Sequence, residues 1–176
     1  MRVRDAIDLF AGGVVESSRP TTWADLGSGN GTFTKALAEL LPRGSTIHAM
    51  DRDGAGLRRV PSAHNGVEIV THQGDFTSSP WPFGDVDGIL MANALHYVAN
   101  PDALIRSCER HMNRPYHFLI VEYDTNEPNR WVPYPVGAAR LRALFERAGY
   151  SRIRVLSSRP SIYRSAPLYA ASIQGA

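Results

Sequence analysis

Apolar residues along the chain follow two spacings, and these predict the secondary structure. Continuous apolar runs such as Phe118-Leu119-Ile120-Val121 are typical of buried strands, whereas apolar residues three or four positions apart are typical of helices. Strands are predicted at residues 23–26, 44–50, 67–70, 86–92, 118–121, 153–156 and 168–173. Helices are predicted at residues 5–15, 33–41, 52–60, 101–112 with Asn100 as N-cap, and 141–148 with Gly149 as the cap. Strands that alternate with helices indicate an α/β fold with a parallel sheet covered on both faces.

Three glycines at alternate positions follow the first predicted strand, in the segment Asp25-Leu26-Gly27-Ser28-Gly29-Asn30-Gly31. Glycine is used where φ must be positive or where a ligand approaches the backbone, and the helix that follows offers free N–H groups. This strand-to-helix corner predicts a nucleotide-like ligand. A dinucleotide-binding corner would carry its third glycine at position 32, which is Thr32 in this chain.

The alternate glycines with Asp25 before them resemble motif I of the class I S-adenosylmethionine-dependent methyltransferases. The resemblance covers nearly the whole chain from Trp23 onward. It implies a doubly wound, mostly parallel seven-stranded sheet with strand order 3-2-1-4-5-7-6, in which the last strand is antiparallel. The length of the chain predicts one domain over residues 1–176, and the apolar pattern near its start predicts an N-terminal helix or lid segment over residues 1–20. The implied cofactor is S-adenosylmethionine, whose methionine part is held by Asp25, Gly27, Ser28, Gly29 and Gly31.

Polar residues end the next three predicted strands, at the sheet edge where ligands of open parallel sheets bind. Asp51 offers two acceptor oxygens at about the spacing of the two ribose hydroxyls, although an isolated strand-end acid is usually only solvated. The resemblance implies that Asp75 holds the adenine amino group, with Phe76 over the ring, and that Asn93 lines the methionine end. A turn is the alternative for Asp75. The neighbouring Arg52 and Gly74 complete the expected cofactor site.

The acceptor side of the site is less specified. A general base is needed only if the acceptor must lose a proton, and the candidates are His96, Glu122 and Tyr123. A lone histidine is more often structural than catalytic, and a structural role is the alternative for His96. Substrate contacts are expected from His96 and Tyr97 and from the apolar loop after the fifth strand, through Trp131 and Tyr134. Packing of that loop against the terminal hairpin is the alternative.

Composition narrows the class of protein. A chain of 176 residues with 43% hydrophobic and 20% charged residues is typical of one soluble domain. The net charge of +2, with scattered arginines, argues against a nucleic-acid partner. A single cysteine, Cys108, excludes an internal disulfide and lies on an apolar helix face. Neither a zinc-site spacing nor an apolar run of about 20 residues is present, so we expect no metal, no membrane span and a cytoplasmic location.

These observations predict methyl transfer from S-adenosylmethionine to a small-molecule acceptor. One alternative is a non-catalytic cofactor-binding module that partners another protein. A nicotinamide-dependent oxidoreductase is disfavoured by Thr32 and by the lack of a Tyr-x-x-x-Lys pair, since the only lysine, Lys35, lies in the first helix after the glycines. The sequence leaves open the acceptor atom and whether the protein is a monomer or a homodimer.

Overall fold

The computed structural model describes residues 1–14, 17–78, 80–160 and 166–175. Its strands are β1 Thr22–Leu26, β2 Thr46–Asp51, β3 Ala63–His64, β4 Val67–Gln73, β5 Gly88–Ala92, β6 His117–Tyr123, β7 Arg152–Arg159 and β8 Leu168–Gln174. Its α-helices are α1 Val3–Phe10, α2 Thr32–Leu40, α3 Gly54–Leu57, α4 Pro101–Glu109 and α5 Ala138–Arg147, and a 3-10 turn spans Leu95–Tyr97.

All of these strands form one sheet with the order β3-β4-β2-β1-β5-β6-β8-β7. The five strands β4, β2, β1, β5 and β6 are parallel, whereas β8 runs antiparallel to both β6 and β7. The predicted mostly parallel α/β sheet is therefore confirmed, but the predicted count of seven strands is wrong. When the short β3 is set aside, the order of the others is the predicted 3-2-1-4-5-7-6.

The extra strand β3 pairs with β4 through a two-residue turn at Asn65 and Gly66. Both residues have positive φ, 50° for Asn65 and 79° for Gly66, which is the geometry of a type I′ turn. Asn-Gly is the preferred sequence for that turn, so the signal for this hairpin was present in the chain. The apolar pattern missed it because β3 is only two residues long.

The predicted helices are present, with different lengths. The helix expected at residues 5–15 spans Val3–Phe10, and position 15 lies outside the described residues. The helix expected at residues 52–60 is a single turn, α3, begun by the Asp53 side chain, which accepts the amide of Ala55. Asn100 caps α4 as predicted, since its side chain accepts the amide of Ala103 at 3.0 Å. Each difference in length lies at a helix end, where local pattern is least informative.

Apolar side chains fill both faces of the central strands. In β6, Phe118 and Ile120 belong to one core cluster, with residues of α4 and α5, while Leu119 and Val121 belong to the other, with residues of α1 and α2. Cys108 is buried in the first cluster, as expected. Burial on both faces explains why these strands read as continuous apolar runs. None of the helices in the described ranges has the length and apolarity required to cross a bilayer.

Candidate active site

The glycine corner between β1 and α2 contains three residues with positive φ: 82° at Gly27, 55° at Gly29 and 77° at Gly31. A Cβ at Gly27 would lie 2.6 Å from Cβ of Ala94, and one at Gly31 would lie 2.9 Å from Val60. Around Gly29 no atom lies within 4 Å of such a Cβ. Two of the glycines therefore allow close packing, and the third faces open space.

Backbone amides of the corner are engaged within the protein. The amides of Gly27 and Ser28 both donate to the carbonyl of Met50, at 2.8 and 3.1 Å, and the amide of Gly31 donates to the carbonyl of Ser28. The amide of Gly29 donates to Oδ2 of Asp51 at 2.8 Å. These four N–H groups do not form the phosphate cradle of a dinucleotide-binding corner, because their donors are already used.

Three buried oxygens at the carboxyl ends of the neighbouring strands β1 and β5 have no hydrogen-bond partner within the described part of the protein. They are Oδ1 of Asp25, Oγ of Ser28 and Oδ1 of Asn93. The other oxygen of Asp25 accepts the hydroxyl of Thr34 at 2.6 Å. Burial is the main reason that the pKa of Asp25 is raised to about 7, and the negative charge of Asp51 raises it slightly further. The hydrogen bond from Thr34 has the opposite, smaller effect. Unpaired buried acceptors are costly, so this end of the corner suits a ligand that donates hydrogen bonds.

A cavity of about 200 Å³ opens beside the corner, and its walls combine residues at the ends of the four strands β1, β2, β4 and β5. It is lined by Gly27, Asp51, Arg52, Phe76, Asn93, Ala94 and Tyr97. The carboxylate of Asp51 accepts the amide of Gly29 through one oxygen and the amide of Asp53 through the other, at 2.8 Å each. Because each carboxylate oxygen can accept more than one hydrogen bond, Asp51 keeps the capacity to bind ribose hydroxyls.

Asp75 lies at the rim of this cavity, beside two of its residues. Its Oδ1 accepts both the hydroxyl and the amide of Thr77, at 2.7 and 2.9 Å, and Oδ2 lies 3.6 Å from Nη1 of Arg52. The side-chain hydrogen bond from Thr77 is the main reason that the pKa of Asp75 is lowered. Gly74 packs on Met50, whose Cε would lie 2.9 Å from a Cβ at this position. The rim thus carries an ionised carboxylate with one oxygen only loosely paired.

His96 and Glu122 form a buried pair at the ends of β5 and β6. Nδ1 of His96 lies 2.6 Å from Oε2 of Glu122, and the amide of His96 donates to Oε1 at 3.1 Å. Since a carboxylate only accepts, the bond to Glu122 requires a proton on Nδ1, and Nε2 is the ring nitrogen that is not used in this pair. The Tyr123 ring lies 6.3 Å from the His96 ring, centroid to centroid.

The predicted substrate residues Tyr97, Trp131 and Tyr134 have exposed side chains, at 51%, 61% and 44%. The amide of Tyr134 donates to the carbonyl of His96 at 3.0 Å, which joins the loop after β6 to the turn after β5. Tyr97 lines the cavity together with the expected cofactor residues.

The structure thus brings most of the predicted residues to one sheet edge. Gly27, Asp51, Arg52, Phe76 and Asn93 share the cavity, while Asp25, Ser28 and Gly31 are packed behind or beside it. Sequence reasoning missed Ala94, which packs on Gly27. Its only signal was its position directly after Asn93. In the described ranges, no group of three or more His, Cys, Asp or Glu side chains has the arrangement of a metal site.

Comparison with known proteins bears directly on this site. The model of a family described as methyltransferase domain matches residues 24–119, more than half of the chain and including the glycine corner. The chain belongs to the methyltransferase domain family. The predicted class I methyltransferase is therefore confirmed as a family, and the protein is an enzyme of that family. No curated protein sequence matches the chain.

Several solved structures share the fold. An S-adenosylmethionine-dependent methyltransferase from Aquifex aeolicus is 17% identical with a TM-score of 0.69, over 98% of this chain and 90% of the other. YcgJ from Bacillus subtilis is 13% identical with a TM-score of 0.74, over 98% of both chains. The N-terminal domain of EvdMO1, solved with SAH bound, is 20% identical with a TM-score of 0.67, over 100% of this chain and 82% of the other. At these identities the likeness concerns the fold.

Proposed function

We propose that this methyltransferase binds S-adenosylmethionine at the glycine corner and methylates a small-molecule acceptor at the adjacent sheet edge. The observation that carries this proposal is the set of unpartnered buried oxygens of Asp25, Ser28 and Asn93. The α-ammonium group of a methionine moiety is cationic and donates three hydrogen bonds, which suits these acceptors. When bound, S-adenosylmethionine supplies a methyl group already activated on a sulfonium.

Charge at the site supports a cationic ligand in preference to a pyrophosphate. The carboxyl groups of Asp25, Asp51 and Asp75 all lie at the carboxyl ends of adjacent strands, and the corner amides are engaged within the protein. A pyrophosphate would meet this negative charge where the amides of Gly27, Ser28, Gly29 and Gly31 are already used, whereas a sulfonium and an ammonium are attracted to it. The same residues therefore disfavour a nicotinamide dinucleotide.

Roles for the remaining cavity residues follow from their positions. Asp51 accepts the two ribose hydroxyls, Asp75 accepts the adenine amino group, and Phe76 covers the ring. The hydrogen bonds from Thr77 hold the carboxylate of Asp75, and Arg52 lies 3.6 Å from its other oxygen. Asn93 orients the methionine end. Together these residues fix the donor, so that transfer depends mainly on holding the acceptor in line with the methyl group.

His96 is the proposed general base. Glu122 fixes the ring with Nδ1 protonated, so that Nε2 is free to take a proton from an acceptor hydroxyl or N–H group. Tyr123 lies on the same strand end and is proposed to orient the acceptor. Both carboxylate oxygens of Glu122 interact with His96, one with its amide and one with its ring, so the proposed role of Glu122 is to position the base.

Isothermal calorimetry with S-adenosylhomocysteine and with NAD⁺ tests the donor assignment. We expect binding of S-adenosylhomocysteine in the micromolar range and no heat with NAD⁺. Absence of S-adenosylhomocysteine binding by the folded protein would contradict the proposal, and binding of NAD⁺ in its place would favour the oxidoreductase.

Substitution of Asp51 by Ala tests the ribose contact. We expect the Kd for S-adenosylhomocysteine to rise about 10- to 100-fold, equivalent to roughly 1–3 kcal/mol, because two ribose hydroxyls lose their partner. The same change also frees the amides of Gly29 and Asp53, so the matched control is Asp53→Ala, which removes a nearby carboxylate and frees the amide of Ala55. Equal affinities of the two variants would contradict the ribose assignment.

A further inference from the structure

Aromatic side chains are exposed at one place in the described structure. Five large hydrophobic residues are exposed in the described ranges: Met1, Tyr97, Trp131, Tyr134 and Val155. Met1 is the terminal residue and Val155 lies on the edge strand β7. The three aromatic ones, called here the aromatic rim, all lie in the turns that follow β5 and β6. Exposed aromatic residues that gather in one region are typical of a binding surface.

The aromatic rim is continuous with the proposed donor site. Tyr97 lines the donor cavity while half of its side chain remains exposed. Its ring lies 4.3 Å from the ring of the proposed base His96, centroid to centroid. Tyr134 is joined to the same turn by the bond from its amide to the carbonyl of His96. A molecule in contact with Tyr97 therefore lies beside the donor cavity and close to the ring of His96.

The loop that carries Trp131 and Tyr134 is held by specific hydrogen bonds. The side chain of Asn129 accepts the amides of Trp131 and Val132 at 2.9 and 3.1 Å. The hydroxyl of the buried Tyr169 donates to the carbonyl of Val136 at 2.6 Å. The rings are thus presented to solvent from a braced loop, and their exposure does not come from fraying at a chain end. Arg130 places its guanidinium 5.4 Å from the Trp131 ring, which adds positive charge at the rim.

We propose that the methyl acceptor is a planar aromatic molecule that carries a hydroxyl or N–H group and stacks on the aromatic rim. This inference rests on the proposed function. In the reaction, the acceptor oxygen or nitrogen forms a bond to the methyl carbon while the carbon–sulfur bond of the donor breaks. The proton of the acceptor passes to Nε2 of His96, and S-adenosylhomocysteine is the other product. Flat rings suit this surface because aromatic pairs stack face to face with an offset or edge to face.

Matched pairs of probes test the acceptor class. Equilibrium dialysis of the protein saturated with S-adenosylhomocysteine would compare 2-naphthol with decahydro-2-naphthol, and phenol with cyclohexanol. Each pair keeps an uncharged hydroxyl compound and changes the aromaticity and planarity of the ring. We expect at least one aromatic probe to bind roughly tenfold or more tightly than its saturated partner.

Rim variants locate the binding. Trp131→Leu and Tyr134→Leu are expected to weaken the aromatic probe about tenfold each, whereas Trp131→Phe keeps a ring and stays within about threefold of the natural protein. Val155→Ala removes an exposed apolar group elsewhere and is expected to change nothing. The Kd for S-adenosylhomocysteine is expected to stay the same in all four variants, which shows that each is folded.

Three outcomes would overturn the inference. They are equal binding of aromatic and saturated probes in both pairs, aromatic binding unaffected by both leucine variants, and loss of binding in Val155→Ala as well. Failure of the donor assignment is measured separately, because it is a lack of S-adenosylhomocysteine binding before any probe is added.

Discussion

In the proposed site, the charge of the Asp25 carboxyl group depends on the ligand bound at the glycine corner. Burial raises its pKa to about 7 in the protein without donor, so it is largely protonated below neutral pH. A cationic ammonium bound to its unpartnered oxygen favours the ionised form and lowers that pKa. Binding therefore releases a proton when the pH is below about 7.

The affinity for S-adenosylhomocysteine is accordingly expected to increase with pH. Between pH 5.5 and pH 7 the Kd should fall by up to about tenfold per pH unit, and above the pKa of Asp25 it should level off. Calorimetry across this range, with circular dichroism to check folding, measures the profile. Asp25→Asn is the control, because it keeps the shape and cannot ionise. A flat profile in the natural protein would contradict a role for Asp25 in binding the ammonium group.

The location of several site residues can be predicted from the sequence, but their contacts cannot. The positions of Asp25, Asp51 and Asn93 at one sheet edge follow from the strand pattern alone. Their hydrogen bonds do not, because the partner of Asp51 is the amide of Gly29, which lies 22 positions away on the neighbouring strand's turn. Only the packing of β1 against β2 brings these groups together.

At the scale of turns and helices, the three glycines of the corner differ in the reason that each is needed. Two allow close packing within the protein, and one faces the space from which a ligand would approach. Gly27 and Gly31 both have positive φ, and a Cβ at either position would lie within 3 Å of a neighbouring side chain. Gly29 also has positive φ, but the space around it is open. Alternate glycines therefore serve different purposes, although they look equivalent in the sequence.

Substitution by Ala is expected to distinguish the glycines. Gly29→Ala costs about 1 kcal/mol of unfolding free energy for its positive φ, and its methyl group enters the space that the ligand approaches, so donor binding is lost. Gly27→Ala adds a clash with Ala94 and is expected to destabilise the fold by several times as much. Urea unfolding and calorimetry measure the two effects. Equal destabilisation of the two variants would argue against different roles for Gly27 and Gly29.

Across the fold, His117 joins three distant parts of the chain. Its Nε2 donates to the carbonyl of Gly13 at 2.8 Å and lies 3.1 Å from Oγ of Ser172, while its ring meets the edge of Trp23. Burial lowers its pKa to about 4, against the opposing hydrogen bond to Gly13. The imidazole is therefore neutral in the folded protein at pH values where an unfolded histidine is charged.

This histidine is expected to make the protein less stable in acid. Its folded-state pKa is depressed, so its contribution is complete above pH 6.5 and is lost as the pH falls towards 4, by about 3 kcal/mol at most. In His117→Gln that part of the pH dependence is absent. Urea unfolding at pH 7.5 and pH 4.5 should thus show a smaller loss of unfolding free energy in the variant. Burial also lowers the pKa values of His48 and His72, and these two histidines contribute the same pH dependence of stability to the natural protein and to the variant.

The local pattern of the sequence predicts seven strands, the helices and the glycine corner, because periodic burial and positive φ are properties of a few consecutive residues. Tertiary structure decides what depends on residues far apart in the chain. The pair formed by His96 and Glu122 spans 26 positions, and the aromatic rim joins the turns after two strands. Apolar spacing does not specify such contacts, since they arise only when the strand ends meet at one edge of the sheet.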